Sequence, residues 1–207
     1  TENDQRLEVY IKNQDWKSNP SSIEYKTKID GDKKIISLAA IKEFEIFNTS
    51  KYLKSEVEID QSPIKINDLN YNKNPNFKKV TVLLKVLIDG QASLYKYEIG
   101  DNIKYFFKTE NSEIKQLIFK KYLFENNRQI KENKQFQQQL YNALQCEAIS
   151  RTRISNLDYR KRDLTKIFKD YNKCKNPDYE PKFNDDQRKL LHLNITPGIS
   201  FAATEYQ

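Results

Sequence analysis

Glycine is almost missing from this chain: four residues in 207, at positions 31, 90, 100 and 198. A phosphate loop of the GxxxxGK[ST] kind and a GxGxxG dinucleotide fingerprint both need glycines close together, so both are excluded. Methionine is absent and position 1 is threonine, which suits a mature product whose leading segment, a secretory signal among the options, has been removed. No run approaches the ~18 uninterrupted apolar residues that a membrane-spanning helix requires. Histidine occurs once, as His192, and cysteine twice, as Cys146 and Cys174. Zinc takes about four ligands with close pairs, no CxxC occurs, and no GxSxG elbow is present to partner the histidine. No catalytic residue, metal ligand or cofactor is assigned, and the chain reads as non-enzymatic.

Charge and aromatic rings are what the chain does contain. Charged residues make up 31% and aromatics 12%, against 37% apolar in total, enough for a modest core under an extensive polar surface. The net charge of +7 is spread along the whole sequence and reads as solvated surface rather than a nucleic-acid footprint. Acidic pairs such as Glu43 and Glu45, or Asp185 and Asp186, have the residue types of a glycosidase, yet 29 acidic residues supply such pairs without selection. "LYKYEIG" and "IKYFFKTE" interleave aromatics with lysine, as base-stacking sheets do, and half-buried strands carry the same alternation. A soluble nucleic-acid-binding protein with a basic, aromatic-lined sheet is therefore the alternative reading. Trp16 is expected to anchor a loop on the sheet.

From Arg6 to about Lys121 the period is that of strands. "RLEVYIKN" alternates Leu7, Val9 and Ile11, and two further β-rich runs flank Asp30-Gly31, a turn signal with a glycine available for positive φ. Phe44 and Ile46, then Val57 and Ile59, continue the alternation. The clearest hairpin is "VTVLLKVLIDGQASLYKYEI": Val80, Val82, Leu84, Val86 and Ile88 share one face, Asp89-Gly90 reverses the chain, and Tyr95, Tyr97 and Ile99 return. Leu83 and Leu87 make the outgoing strand apolar on its second face, which predicts a central strand covered on both sides. "IKQLIFKKYLF" fits a strand or a short helix.

After Asn127 the period lengthens. Phe136, Leu140 and Leu144 recur every four residues, and Leu164, Ile167, Phe168 and Tyr171 mark a second amphipathic helix with Asp163 as its expected N-terminal cap. Cys146 and Cys174 each follow one of these helices. Two buried thiols and a disulfide are both compatible with that spacing; if the helix ends meet, a bridge would close a loop of about 28 residues and stabilise the fold by roughly 3–4 kcal/mol in the chain-entropy model. The expected fold class is α+β. An antiparallel β-rich region (1–125) precedes a small helical region (126–177), a linker (178–190) with two prolines nearby, and a closing amphipathic strand (191–207).

That closing strand, "LHLNITPGISFAATEYQ", places Leu191, Leu193, Ile195, Ile199 and Phe201 on one face and His192, Asn194, Thr196 and Ser200 on the other. Packed on a soluble sheet it would be an edge strand, where Pro197 is tolerated. Taken with "YIKNQDWKSNPSSIEYK", "IKEFEIFNTSKYLKSEVEID", "LLKVLIDGQASLYKYE", "FQQQLYNALQC", "LTKIFKDYNKC" and "LNITPGISF", the order of motifs resembles secreted proteins of Bacteroidota, especially flavobacteria. In these a soluble N-terminal region precedes a C-terminal outer-membrane β-barrel. The resemblance implies that Leu191, Leu193, Ile195, Ile199 and Phe201 face lipid in the first strand of a barrel whose remainder lies beyond this sequence. It implies a periplasm-facing binding or scaffolding region, pinned by a Cys146–Cys174 disulfide. Expected partners are the outer membrane, through the barrel, and other envelope proteins or peptidoglycan; nucleic acid is not expected.

Overall fold

The computed structural model describes residues 8–11, 19–37, 40–46, 49–110, 112–124 and 129–182. The expected lipid-facing residues Leu191, Leu193, Ile195, Ile199 and Phe201 lie outside the described residues, as do Trp16, His192, Asp185 and Asp186. The fold is α+β, and among the described residues every strand pairs antiparallel.

Strands β1 (Tyr10–Ile11), β2 (Ser22–Lys26) and β3 (Lys34–Ser37) form a small meander. Strands β4 (Glu43–Ile46), β5 (Ser50–Asp60), β6 (Phe77–Ile88), β7 (Ala92–Ile99), β8 (Asn102–Thr109) and β9 (Lys115–Gln116) form the main sheet in sequence order. A two-stranded ribbon, β10 (Lys120–Phe124) and β11 (Gln129–Asn133), leads into helices α1 (Gln135–Ala143), α2 (Arg151–Ser155) and α3 (Lys161–Lys175). The stretch that fitted either strand or helix is thus β9 and β10. The residues assigned to the helical region begin with a strand, β11.

The central hairpin has the expected partners, with β6 between β5 and β7 and both of its faces buried. One face differs from expectation. The register shifts between Val86 and Ile88, so Leu84 and Val86 pack on one side of the sheet whereas Leu87 and Ile88 both turn to the other. A bulge inserts one residue, and with a side-chain period of two that reverses which face every later residue occupies. The glycines also act differently from the turn signals. Positive φ occurs at Gly100 (φ 56) in the two-residue β7–β8 turn. Gly90 instead permits a close approach: a Cβ there would lie 2.6 Å from Asn172 Nδ2, with backbone bonds to Ala92 depending on that amide.

The sheet curls. Val57 and Ile59 of β5, Leu84 and Val86 of β6, Tyr95 of β7 and Phe106 of β8 belong to a single buried cluster on its concave face, and β9 comes back alongside β5. On the convex face Leu87, Ile88, Leu94, Tyr105 and Phe107 share another core with Phe136, Leu140, Leu164, Ile167 and Phe168 of the helices. Helices and sheet therefore bury one common surface, although the chain changes period between them. Buried leucine and phenylalanine side chains contribute roughly 1.5–3 kcal/mol each, so this core dominates the stability of the helical part.

Helix α3 buries Leu164, Ile167, Phe168 and Tyr171, the expected stripe. Its N-cap is Arg160 rather than Asp163, which sits in the first turn, where a carboxylate still complements the helix dipole. Helix α2, five residues capped by Ser150 Oγ accepting from the Arg153 N–H, is too short to show a period and was not expected. Cys146 lies beyond the end of α1, and Cys174 lies within the last turn of α3 rather than after it. The helix ends do meet: Cys146 and Cys174 are bonded, with Cα atoms 6.5 Å apart. Past α3, Tyr179 packs against the same core and donates its hydroxyl to the Asp89 carbonyl (2.9 Å), so the first residues of the expected linker are docked.

Candidate functional site

Four polar side chains are buried where β9 returns to β5: Asp60 (1% exposed), Lys104 (4%), Gln116 (4%) and Lys120 (4%). Strand alternation explains how three of them arrive there. Gln116 is paired with Phe106, whose ring belongs to the concave-face cluster, so both side chains share that face. Leu117 N–H donates to the Tyr105 carbonyl at 2.8 Å, which extends the register past the end of β9. Continued, it sets Lys104 opposite Ile118, with Gln116 and Lys120 as its two diagonal neighbours on the concave face. Leu117 and Phe119, at the alternate positions, pack on the helical side.

Asp60 ends β5 and organises the cluster. Its Oδ1 accepts from the Ser62 N–H (2.9 Å), the Ser62 hydroxyl (2.5 Å) and the Asn76 N–H (2.8 Å). Its Oδ2 lies 3.7 Å from Lys104 Nζ. Its own N–H donates to Gln116 Oε1 at 2.9 Å, so the closure of β9 on β5 is made by a side chain. Lys120 Nζ donates to the Asn74 carbonyl at 2.8 Å. Burial alone would raise the Asp60 carboxyl, but the Ser62 hydroxyl, the two backbone N–H groups and Lys104 together hold it below its ordinary range. Burial lowers Lys104, with Asp60 opposing and Lys120 adding to the shift; burial lowers Lys120 as well, again against Asp60.

An open groove of about 500 Å³ adjoins this cluster, lined by Lys73, Asn74, Tyr122 and Glu132 to Gln135. Asn74 belongs to both, since its carbonyl receives Lys120. The loop between β5 and β6 is fastened to the ribbon by the Leu123 N–H donating to the Asn70 carbonyl (2.9 Å) and by Asn133 Nδ2 donating to the Lys73 carbonyl (3.1 Å). Ile64, Ile66 and Tyr71 on that loop, and Phe124 and Ile130 on the ribbon, are exposed.

Of the residues singled out in the sequence, Cys146 and Cys174 are joined, on the helical side. Glu43 and Glu45 share an exposed edge strand, with Glu43 paired to Lys51 at 2.9 Å. Of the rings proposed for base stacking, Tyr95, Tyr105, Phe106 and Phe107 are buried and Tyr97 is half-buried. Among the described residues no group of three or more His, Cys, Asp and Glu could hold a metal, and no helix is long and apolar enough to cross a membrane. Sequence reasoning missed the whole Asp60 cluster. Lys104 alternates with Tyr105 and Phe107 as a solvent-facing lysine would, and only the curl of the sheet buries it. Compared with known protein families, curated proteins and solved structures, the chain matches none.

Proposed function

We propose that this chain is a non-enzymatic, periplasm-facing binding or scaffolding region of an outer-membrane β-barrel protein. The observation that carries this reading is the Cys146–Cys174 disulfide, which ties the end of α1 to the last turn of α3. Disulfides form and persist in oxidising compartments, and one that closes a loop of 28 residues is of structural size. The order of motifs shared with flavobacterial envelope proteins, and the lipid-facing pattern from Leu191 to Phe201, supply the membrane part of the proposal. Barrels with an even number of strands bring both ends to the periplasmic side, which puts a region preceding the barrel there.

Contact with envelope proteins or peptidoglycan is assigned to the end that holds the groove. There a loop and a ribbon present Tyr71, Ile66, Phe124 and Ile130 beside lysines and asparagines, a mixture of apolar anchors and polar rim that suits an interface. The nucleic-acid alternative is less favoured, because four of the five rings it would use, Tyr95, Tyr105, Phe106 and Phe107, are buried.

The test is fractionation of intact cells of the native host with an antibody against this region. Recovery in the outer-membrane fraction, protected from external protease until the outer membrane is permeabilised, is the expected result. Recovery in the cytosol with both cysteines labelled by a thiol reagent would defeat the proposal.

A further inference from the structure

The charges around Asp60 do not balance. Two lysines and one aspartate are each at most 4% exposed, and the aspartate's Oδ1 is already taken by three donors. Lys104 stands 3.7 Å from Oδ2, beyond hydrogen-bond length, and Lys120 gives its bond to a neutral carbonyl. One positive charge of the cluster is thus left without a counter-charge among the described residues, an unfavourable arrangement for a buried group. Gln116 adds an independent signal. The Asp60 N–H fixes its amide with the oxygen toward β5, so the orientation cannot be reversed, and Nε2 is then buried with no partner among the described residues. A native structure rarely leaves such a donor orphaned, and each one calls for a cause.

We propose that the polar end of the curled sheet is a binding site for a small oxyanion, a carboxylate or a phosphate, held by Lys104, Lys120 and the Gln116 amide. The register already derived puts Gln116 and Lys120 on either side of Lys104 on one face, so the three side chains leave the sheet as neighbours. A single negative charge there neutralises the surplus lysine and accepts from Nε2, answering both anomalies at once. Asp60 is the anchor that keeps the donors in place: it fixes Gln116 through its N–H and Lys104 through its carboxylate. The groove adjoins the site at Asn74, which lines it and whose carbonyl accepts from Lys120. The site does not depend on where in the cell the protein resides.

Thermal unfolding of the full chain tests this directly. Chloride is exchanged for phosphate in one series and for acetate in another, at constant ionic strength and pH. A saturable rise in Tm is expected, on the order of 5 °C when the anion reaches a hundredfold excess over its Kd. The better of the two anions identifies the ligand as phosphate-bearing or carboxylate-bearing. Lys120→Met should remove the response, and Gln116→Leu should weaken the affinity about tenfold. Gln116→Glu supplies a carboxylate from the chain itself: its Tm in chloride should exceed that of wild type, and its response to either anion should vanish. A Tm that follows ionic strength alone in the wild-type protein overturns the proposal even if every variant fails to fold. A saturable response unchanged in the folded variants also overturns it, since the anion would then sit elsewhere.

Discussion

The two faces of strand β8 solve the problem of burial in different ways. Tyr105 and Phe107 face the helical layer, where Phe107 meets Phe168 edge-on at 6.4 Å and Tyr105 meets Tyr159 at 5.1 Å. Lys104 and Phe106 face the concave side, where the ring is fully buried in an apolar cluster and the amine is buried beside Asp60. On the helical side any well-shaped apolar group contributes area, and the stabilisation is the sum of many small contacts. On the polar side a few named donors and acceptors must all be in place, because a half-satisfied network is worse than none. The first arrangement tolerates change by degrees. The second depends on single atoms.

The sharpest way to break that contrast is to truncate one residue on each side. Phe168→Ala should cost about 3–5 kcal/mol through lost burial and the cavity left behind. Asp60→Ala should cost a similar amount, about 3–5 kcal/mol, by stranding the buried lysines and the Ser62 and Asn76 donors. If the two sides are energetically separate, urea denaturation of the double variant will give the sum of the single losses to within roughly 0.5 kcal/mol. A large shortfall would show one coupled network instead of two.

Removing the covalent link comes next. Replacing Cys146 and Cys174 together with serine should lower stability by roughly 3–4 kcal/mol at most, and the loss should concentrate in α1 and α3 when amide hydrogen exchange is followed. Equal deprotection of β5 and β6 would contradict the assignment of the bridge to the helical side. A smaller effect is expected from Asn172→Ala. The Asn172 side chain accepts from the Ala92 N–H and donates to the Ala92 carbonyl, both at 2.8 Å, and its loss should cost about 1–3 kcal/mol in the same denaturation assay.

The gentlest probe is pH, and its sign differs between groups. Asp60 has a folded-state pKa below its ordinary 3.8, so its contribution is present above that value and is lost as pH falls through the folded pKa. Lys104 and Lys120 have folded-state pKa values below their ordinary 10.5, so the unfolded chain binds more protons between the two values, and stability should rise with pH across that window. Tyr95 and Tyr105, each pushed up to about 12 by burial, act in the opposite sense from pH 10 upward. Urea midpoints should therefore climb in wild type as pH rises through the folded-state values of these lysines toward 10.5, and the slope should shrink in Lys104→Met. An equal slope in the variant would remove Lys104 from the explanation.

Much of the sheet was legible because its signal is local. The β6–β7 hairpin carried alternating Val80 to Val86, a reversal at Asp89-Gly90 and a second apolar face at Leu83 and Leu87, and the strand is central and covered on both sides. The helical stripe of Leu164, Ile167, Phe168 and Tyr171 was equally plain. What escaped were the places where a side chain does the work of a strand. Asn19 bridges β6 and β7 where they splay, receiving the Glu98 N–H on Oδ1 and giving its own N–H to the Glu98 carbonyl, both at 2.7 Å, while Nδ2 donates to the Leu83 carbonyl. Gln139 of α1 covers the edge of β9, donating to the Gln116 carbonyl (2.9 Å) and accepting from Ile118 N–H (2.8 Å). The Tyr159 hydroxyl stands between the Tyr105 N–H and the Leu117 carbonyl at 2.9 and 3.0 Å. Each links residues 20 or more positions apart along the chain, and nothing in the local pattern of a polar residue says which distant backbone it will meet.

The sequence by itself determined the α+β class and the faces of the helices and of the long strands up to the bulge in β6. Those follow from periods of two and about 3.6 residues, which every window of the chain displays independently. Only the tertiary structure decided that Cys146 meets Cys174, that Ile88 changes sides at a bulge, and that Lys104 is buried beside Asp60. Whether a lysine on an alternating strand faces water or a closed interior depends on how far the sheet curls, and that curvature is set by contacts between strands remote in sequence.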